Sequence, residues 1–75
     1  MPNAFTEEES KRIRQELILA GIRLSKELGV QKMSVEKLTA AVGIAKGSFY
    51  LFFGSKEDFI LEVAAYASEE TQKML

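Results

Sequence analysis

The segment Val42-Gly43-Ile44-Ala45 joins two apolar-periodic stretches with almost no chain between them. Upstream, Ser34 precedes Val35, Leu38 and Val42, whose spacings of three and four follow one helical face. The Ser34 hydroxyl can accept a hydrogen bond from an orphan backbone N–H, so Ser34 is the expected N-cap. Gly43 then predicts a stop after about two turns. Downstream, Ala45 to Phe53 predicts another short helix, stopped by Gly54. Isolated helices below roughly 12–15 residues are marginal in water, so both need packing to persist. A link this tight restricts how they can pack. Two short helices across a glycine-containing turn of about three or four residues form a helix-turn-helix.

The flanking chain supplies something to pack against. Thr6 is a candidate cap, and Glu9 three residues later would complete a capping box. Ile13, Leu17, Ala20, Gly21, Leu24 and Leu28 then make one buried helical stripe. Leu19 and Ile22 fall off it, which suggests a second contact face. Gly29 predicts a left-handed C-terminal cap. Ser55 with Asp58 starts a last helix through Phe59, Val63, Tyr66 and Ala67. Residues 1–6 are expected to fray, and Pro2 is the only proline. Nothing reads as a strand, a repeat or a linker. The expectation is an all-α fold: three helices plus the start or whole of a fourth, in one domain over 1–75, with the helix-turn-helix at about 34–53.

Composition removes several function classes. The chain has 75 residues, no cysteine and no histidine. The usual general base and the commonest metal ligand are therefore absent, as are disulfides. No apolar run approaches the roughly 18 residues of a membrane span, and the acidic start MPNAFTEEES is no signal peptide. A soluble cytoplasmic protein without membrane, cofactor or metal is expected. Gly43-Ile-Ala-Lys-Gly47-Ser48 lacks the spacing of a phosphate-binding P-loop, and its lysine excludes a membrane GxxxG pair. With no catalytic constellation in view, an enzyme is not expected.

Of the five Phe and two Tyr, Phe49, Tyr50, Phe52 and Phe53 crowd between Gly47 and Gly54. Phe49 and Phe53 lie one helical turn apart and are assigned to the core. Lys46 and Tyr50, also one turn apart, fall on another face, with Gly47 and Ser48 in the first turn. A glycine there costs about 1 kcal/mol relative to alanine, which makes sense where a partner must approach the backbone. DNA is such a partner. A helix N-terminus suits phosphate, lysine suits phosphate or guanine, and the serine and tyrosine hydroxyls suit phosphate or a base edge. Charge distribution agrees: Lys32, Lys37, Lys46 and Lys56 face only Glu36 over residues 31–56, while residues 57–75 are acidic. Bland alternatives stand beside each assignment. Gly47 can merely ease packing on the first helix, Tyr50 can be a half-buried core ring, and Lys56 can be a solvated residue. Lys56 does sit against a helix dipole, which a phosphate partner would relieve.

The run from Ser34 to Glu57, SVEKLTAAVGIAKGSFYLFFGSKE, strongly resembles the DNA-binding domain of the tetracycline-repressor (TetR) family of bacterial transcriptional regulators. The likeness extends from Leu17-Ile-Leu-Ala-Gly21 to Phe59. It implies a sequence-specific DNA-binding regulator, by family default a repressor, with helix 45–53 in the major groove. It also implies that Ser34 contacts phosphate at the start of the second helix. Lys46, Gly47 and Ser48 match the recognition helix, and Tyr50 and Lys56 match residues that contact backbone phosphate. Ala45 stands where a serine often caps the recognition helix, and Leu51 and Phe52 stand where the family often has Tyr, Trp or His. Family members are usually homodimers on a palindromic operator, released by a small-molecule inducer in a C-terminal domain. That domain is absent from this chain, which reads as the N-terminal portion of a longer regulator. The rival reading is a small helical protein-interaction module, with Tyr50, Leu51 and Phe52 docking into a partner.

Overall fold

A computed structural model of the chain describes residues 5–74, with side chains described through Glu69. Three α-helices carry the fold: α1 (Glu7–Leu28), α2 (Val35–Val42) and α3 (Lys56–Met74). A 3₁₀ turn at Val30–Lys32 precedes α2, and a 3₁₀ helix at Lys46–Leu51 lies between α2 and α3. The described residues contain no strand. None of their helices is long and apolar enough to cross a membrane.

The helix starts follow the sequence. Thr6 Oγ1 accepts from the Glu9 N–H at 3.1 Å, and the Glu9 carboxylate accepts from the Thr6 N–H at 2.9 Å, closing the capping box. Phe5 packs against Phe52 with ring centroids 5.8 Å apart. Phe5 and Thr6 are thus tied down, contrary to the fraying expected of residues 1–6. Residues 1–4, with Pro2, lie outside the described residues. The side chains of Glu70 and Lys73, which entered the acidic balance of 57–75, lie outside the described side chains.

The core is built where α1 meets α2, the 3₁₀ helix and α3. Phe49, Phe59, Leu17, Met33 and Leu38 are the largest fully buried side chains. Phe59 is the hub of an aromatic cluster, edge-on to Phe49 at 5.4 Å and to Phe53 at 4.8 Å. Phe49 and Phe53 are both buried, as their spacing predicts. Gly21 makes room for this cluster, since a Cβ there would stand 2.7 Å from Phe59 Cζ and 3.0 Å from Val63 Cγ2. Polar ties along the same seam fix α3 to α1. Arg14 pairs with Glu62 and lies 5.1 Å over the Phe53 ring, while Gln15 Nε2 donates to the Tyr66 hydroxyl at 3.0 Å.

Three expectations need correction. The buried face of α1 is wider than one stripe: Ile18 is buried, whereas Leu24 is half-buried and Leu28 exposed. The helix meets α2 on one side and α3 on the other, so a single stripe underestimates the covered arc. The second face expected at Leu19 and Ile22 divides, with Ile22 packed on the core and Leu19 exposed. Gly29 has a positive φ of 87° but a ψ of 153°, outside the left-handed helical region. The chain leaves α1 extended there and enters the Val30–Lys32 turn, which delivers Met33 to the core.

Candidate nucleic-acid interface

The turn between α2 and the 3₁₀ helix is set by backbone geometry. Gly43 ends α2 in the left-handed region, φ 87° and ψ 32°, which costs glycine no steric strain. The N–H groups of Gly43 and Ile44 both donate to the Thr39 carbonyl, at 2.8 and 3.0 Å. Ala45 then turns extended, and the next helix begins at Lys46. Thr39 is buried and donates its hydroxyl to the Val35 carbonyl at 2.9 Å, so burial leaves no orphan donor.

The segment expected as helix Ala45–Phe53 is instead a 3₁₀ helix over Lys46–Leu51, with Ala45 and Phe52 as its flanking caps. Ser48 N–H donates to Ala45 O and Phe52 N–H to Phe49 O, each at 3.0 Å and each spanning three residues. Ala45 has no side-chain oxygen to cap an α-helix, and Gly47 weakens helical propensity. Together these favour the tighter winding. A 3₁₀ helix has three residues per turn, so side chains three apart eclipse one another. Gly47 and Tyr50 therefore share a row, as do Ser48 and Leu51. Lys46 lies in the row of Phe49, not in that of Tyr50 as α-helical spacing had suggested.

The outward rows are open. A Cβ at Gly47 would meet nothing within 4 Å, so this glycine is not there to ease packing on α1. Tyr50 is 54% exposed and Leu51 61% exposed. The Tyr50 ring rests edge-on against Phe49 at 5.3 Å, anchoring its base while the rest faces solvent. Ala45 is exposed and Ser48 half-buried. Ser34 caps α2, its Oγ accepting from the Lys37 N–H at 3.1 Å, which leaves the hydroxyl proton for another acceptor. Lys56 is half-buried and is the first residue of α3. Just before it, Ser55 accepts from the Asp58 N–H at 3.1 Å.

The sequence model for bacterial regulatory proteins of the tetR family matches residues 17–63. The chain belongs to the tetR family. That tetR match begins inside α1 and ends inside α3, enclosing both short helices and the turn between them. The chain is 40% identical over 47 residues to the "Uncharacterized HTH-type transcriptional regulator YwcC" of Bacillus subtilis (strain 168), an alignment covering 63% of this chain and 21% of that one. It is 43% identical over 47 residues to the "HTH-type transcriptional repressor DhaR" of Mycobacterium sp. (strain GP1), covering 63% and 24%. It is 29% identical over 58 residues to the "HTH-type transcriptional regulator AcrR" of Shigella flexneri, covering 77% and 27%. The chain thus spans about a fifth to a quarter of the length of these tetR-type relatives. No solved structure matches it.

Ser34, Ala45, Lys46, Gly47, Ser48, Tyr50, Leu51 and Lys56 all fall inside the matched region. Among the described residues, one ion pair joins the start of α2 to the 3₁₀ helix. Lys46 Nζ lies 3.2 Å from Glu36 Oε1, two residues beyond Ser34. No hydrogen bond or ion pair brings Tyr50, Leu51 or Lys56 to that pair. Glu36 was not among the residues that the sequence singled out. Its signal was present, as the single acid among the four lysines of residues 31–56.

Proposed function

We propose that this chain is the DNA-binding part of a transcriptional repressor, with the 3₁₀ helix Lys46–Leu51 entering the major groove. The observation that carries the reading is the open backbone at Gly47, with nothing within 4 Å, beside the exposed Tyr50. A glycine that no packing requires, next to an anchored but exposed tyrosine, leaves a surface on which a duplex can come close to main chain. In this reading Ser34, Tyr50 and Lys56 hold backbone phosphates. Lys46 and Ser48 reach base edges or phosphates, Ala45 and Leu51 border the contact, and Leu51 offers an apolar surface to a thymine methyl. On the same reading the regulator is a homodimer on a palindromic operator, released by a small-molecule inducer held outside these 75 residues. The protein works as a cytoplasmic regulator and not as an enzyme.

The test is an amide NMR titration of the 75-residue chain with a duplex of mixed sequence, at low and then moderate salt. Shifts at Ser34, Lys46 to Tyr50 and Lys56 that fade as salt rises are expected, because phosphate contacts release counterions. Lys46→Glu should abolish them with helical content intact. A folded chain with no shifts at low salt would sink the reading and favour a protein-interaction surface at Tyr50 and Leu51, whose binding salt would leave nearly unchanged.

A further inference from the structure

Glu36 is out of keeping with the face it occupies. It lies in the first turn of α2, where a carboxylate suits the helix dipole but also confronts any phosphate held near Ser34. Its Oε1 is 3.2 Å from Lys46 Nζ, with the side chains 73% and 59% exposed respectively. The neighbouring cation does not compete for it, since Lys37 turns its ammonium to the Lys32 carbonyl at 3.3 Å. Lys46 is thus held by one acid, across the turn, on the surface proposed for DNA.

We infer that Glu36 is a restraining residue for DNA binding, pairing with Lys46 in the free protein and withholding its charge from the duplex. The inference rests on the DNA reading above. An exposed pair of this kind is weak enough to open when a duplex docks. Opening it nevertheless opposes binding. The carboxylate left behind repels the phosphates and cancels part of the counterion release that Lys46 would otherwise contribute. Glu36 therefore lowers affinity for every sequence, and the loss lies in charge, not shape.

Fluorescence anisotropy with a labelled mixed-sequence duplex, across a salt series, tests this on the wild-type chain and on Glu36→Gln, Lys46→Gln and the double variant. Glu27→Gln, an exposed carboxylate near the end of α1, controls for the bare change in net charge. Glu36→Gln is expected to bind about two- to fivefold more tightly at low salt, the upper part of the range carried by one exposed ion pair. Its plot of log K against log salt should steepen by a fraction of the roughly 0.9 that one fully neutralised phosphate releases. Lys46→Gln should cost more affinity in the Glu36→Gln background than in the wild type, while Glu27→Gln shows neither change. Thermal midpoints should fall only slightly, since Glu36→Gln gives up a favourable interaction with the α2 dipole but neither partner supports the core. Unchanged or weaker binding by Glu36→Gln would overturn the restraint; weaker binding is the result if Glu36 accepts from a cytosine amino group or positions Lys46 productively. If every folded variant, wild type included, fails to bind at low salt, the DNA reading itself falls and the restraint with it.

Discussion

An alanine methyl at Gly21 would be driven into the aromatic cluster, while one at Gly47 would meet open space. The same substitution should therefore have opposite outcomes at the two positions. In a helix interior Gly→Ala alone would stabilise by roughly 0.5–1 kcal/mol. At Gly21 that gain faces contacts of 2.7 and 2.8 Å to the Phe59 ring, which is held on other sides by Phe49 and Phe53 and cannot easily yield. Overpacking of this kind costs about 1–3 kcal/mol, so Gly21→Ala should lower stability by about 1–2 kcal/mol. For a domain this size that is a fall in melting temperature of several degrees, readable by circular dichroism. A rise in melting temperature would show that α1 and α3 are not packed this closely. Gly47→Ala should leave the melting temperature unchanged or slightly raised and weaken duplex binding severalfold, because the added methyl stands where DNA is proposed to approach. Equal affinity would remove the reason for a glycine at this position. Spacing alone identified Phe49 and Phe53 as core and Gly47 as unusual. It placed Gly21 in the buried stripe and Phe59 on the last helix but gave no sign that the two lie against each other, because they meet only when α3 crosses α1.

At the scale of the elements, the short-range signals were legible and the winding was not. Thr6 with Glu9, Ser34, Gly43 and Ser55 mark helix ends through bonds that span a few residues, so the sequence displays both partners at once. Whether Ala45–Phe53 winds as α or 3₁₀ turns on the missing cap at Ala45 and the weak propensity of Gly47, which the apolar spacing of Phe49 and Phe53 does not register. The caps themselves can be tested. Ser34→Ala should destabilise by about 1 kcal/mol through the lost bond to the Lys37 N–H. Ser34→Asp preserves a good cap and so the melting temperature, but places a carboxylate against phosphate and should bind DNA more weakly than the alanine variant. Equal binding by the two would mean that Ser34 caps α2 and does nothing more. The α1 cap adds a pH dependence. The Thr6 backbone N–H, foremost, and the Thr6 side chain hold the Glu9 carboxyl below its ordinary value of 4.5. A carboxylate depressed on folding contributes stability that is present above the unfolded value and is lost as pH falls through the lower, folded one. The Thr6 amide should therefore lose its hydrogen-bonded chemical shift only below pH 4.5, at a midpoint under that of an exposed glutamate. A midpoint at or above the ordinary value would contradict the capping box.

For the whole molecule, α1 and α3 form a frame that holds α2 and the 3₁₀ helix, neither of which is long enough to stand alone. The frame is closed by the Phe59 cluster, which reaches Phe49, and by Arg14 with Glu62. Within the 3₁₀ helix Lys46–Leu51 the paired Lys46 carries the one ammonium. Under the DNA reading, a lone unit should therefore bind weakly and with little preference among sequences. Helix-turn-helix proteins gain affinity by placing two units on half-sites about one helical turn apart. The second contact is then effectively intramolecular, and avidity can add about 10²- to 10⁴-fold without any new residue touching DNA. Joining two copies of this chain at the C-terminal end of α3 through a short, stiff linker that just spans adjacent half-sites should reproduce that gain. The linked pair should select inverted repeats from a random duplex pool, whereas the single chain should enrich little. The gain should vanish when the half-site spacing is lengthened by half a turn, which carries the second site to the opposite face of the duplex. Affinity that rises on linking but ignores the spacing would mean that the two units add charge without docking in register, and would remove the 3₁₀ helix from the role of reading element.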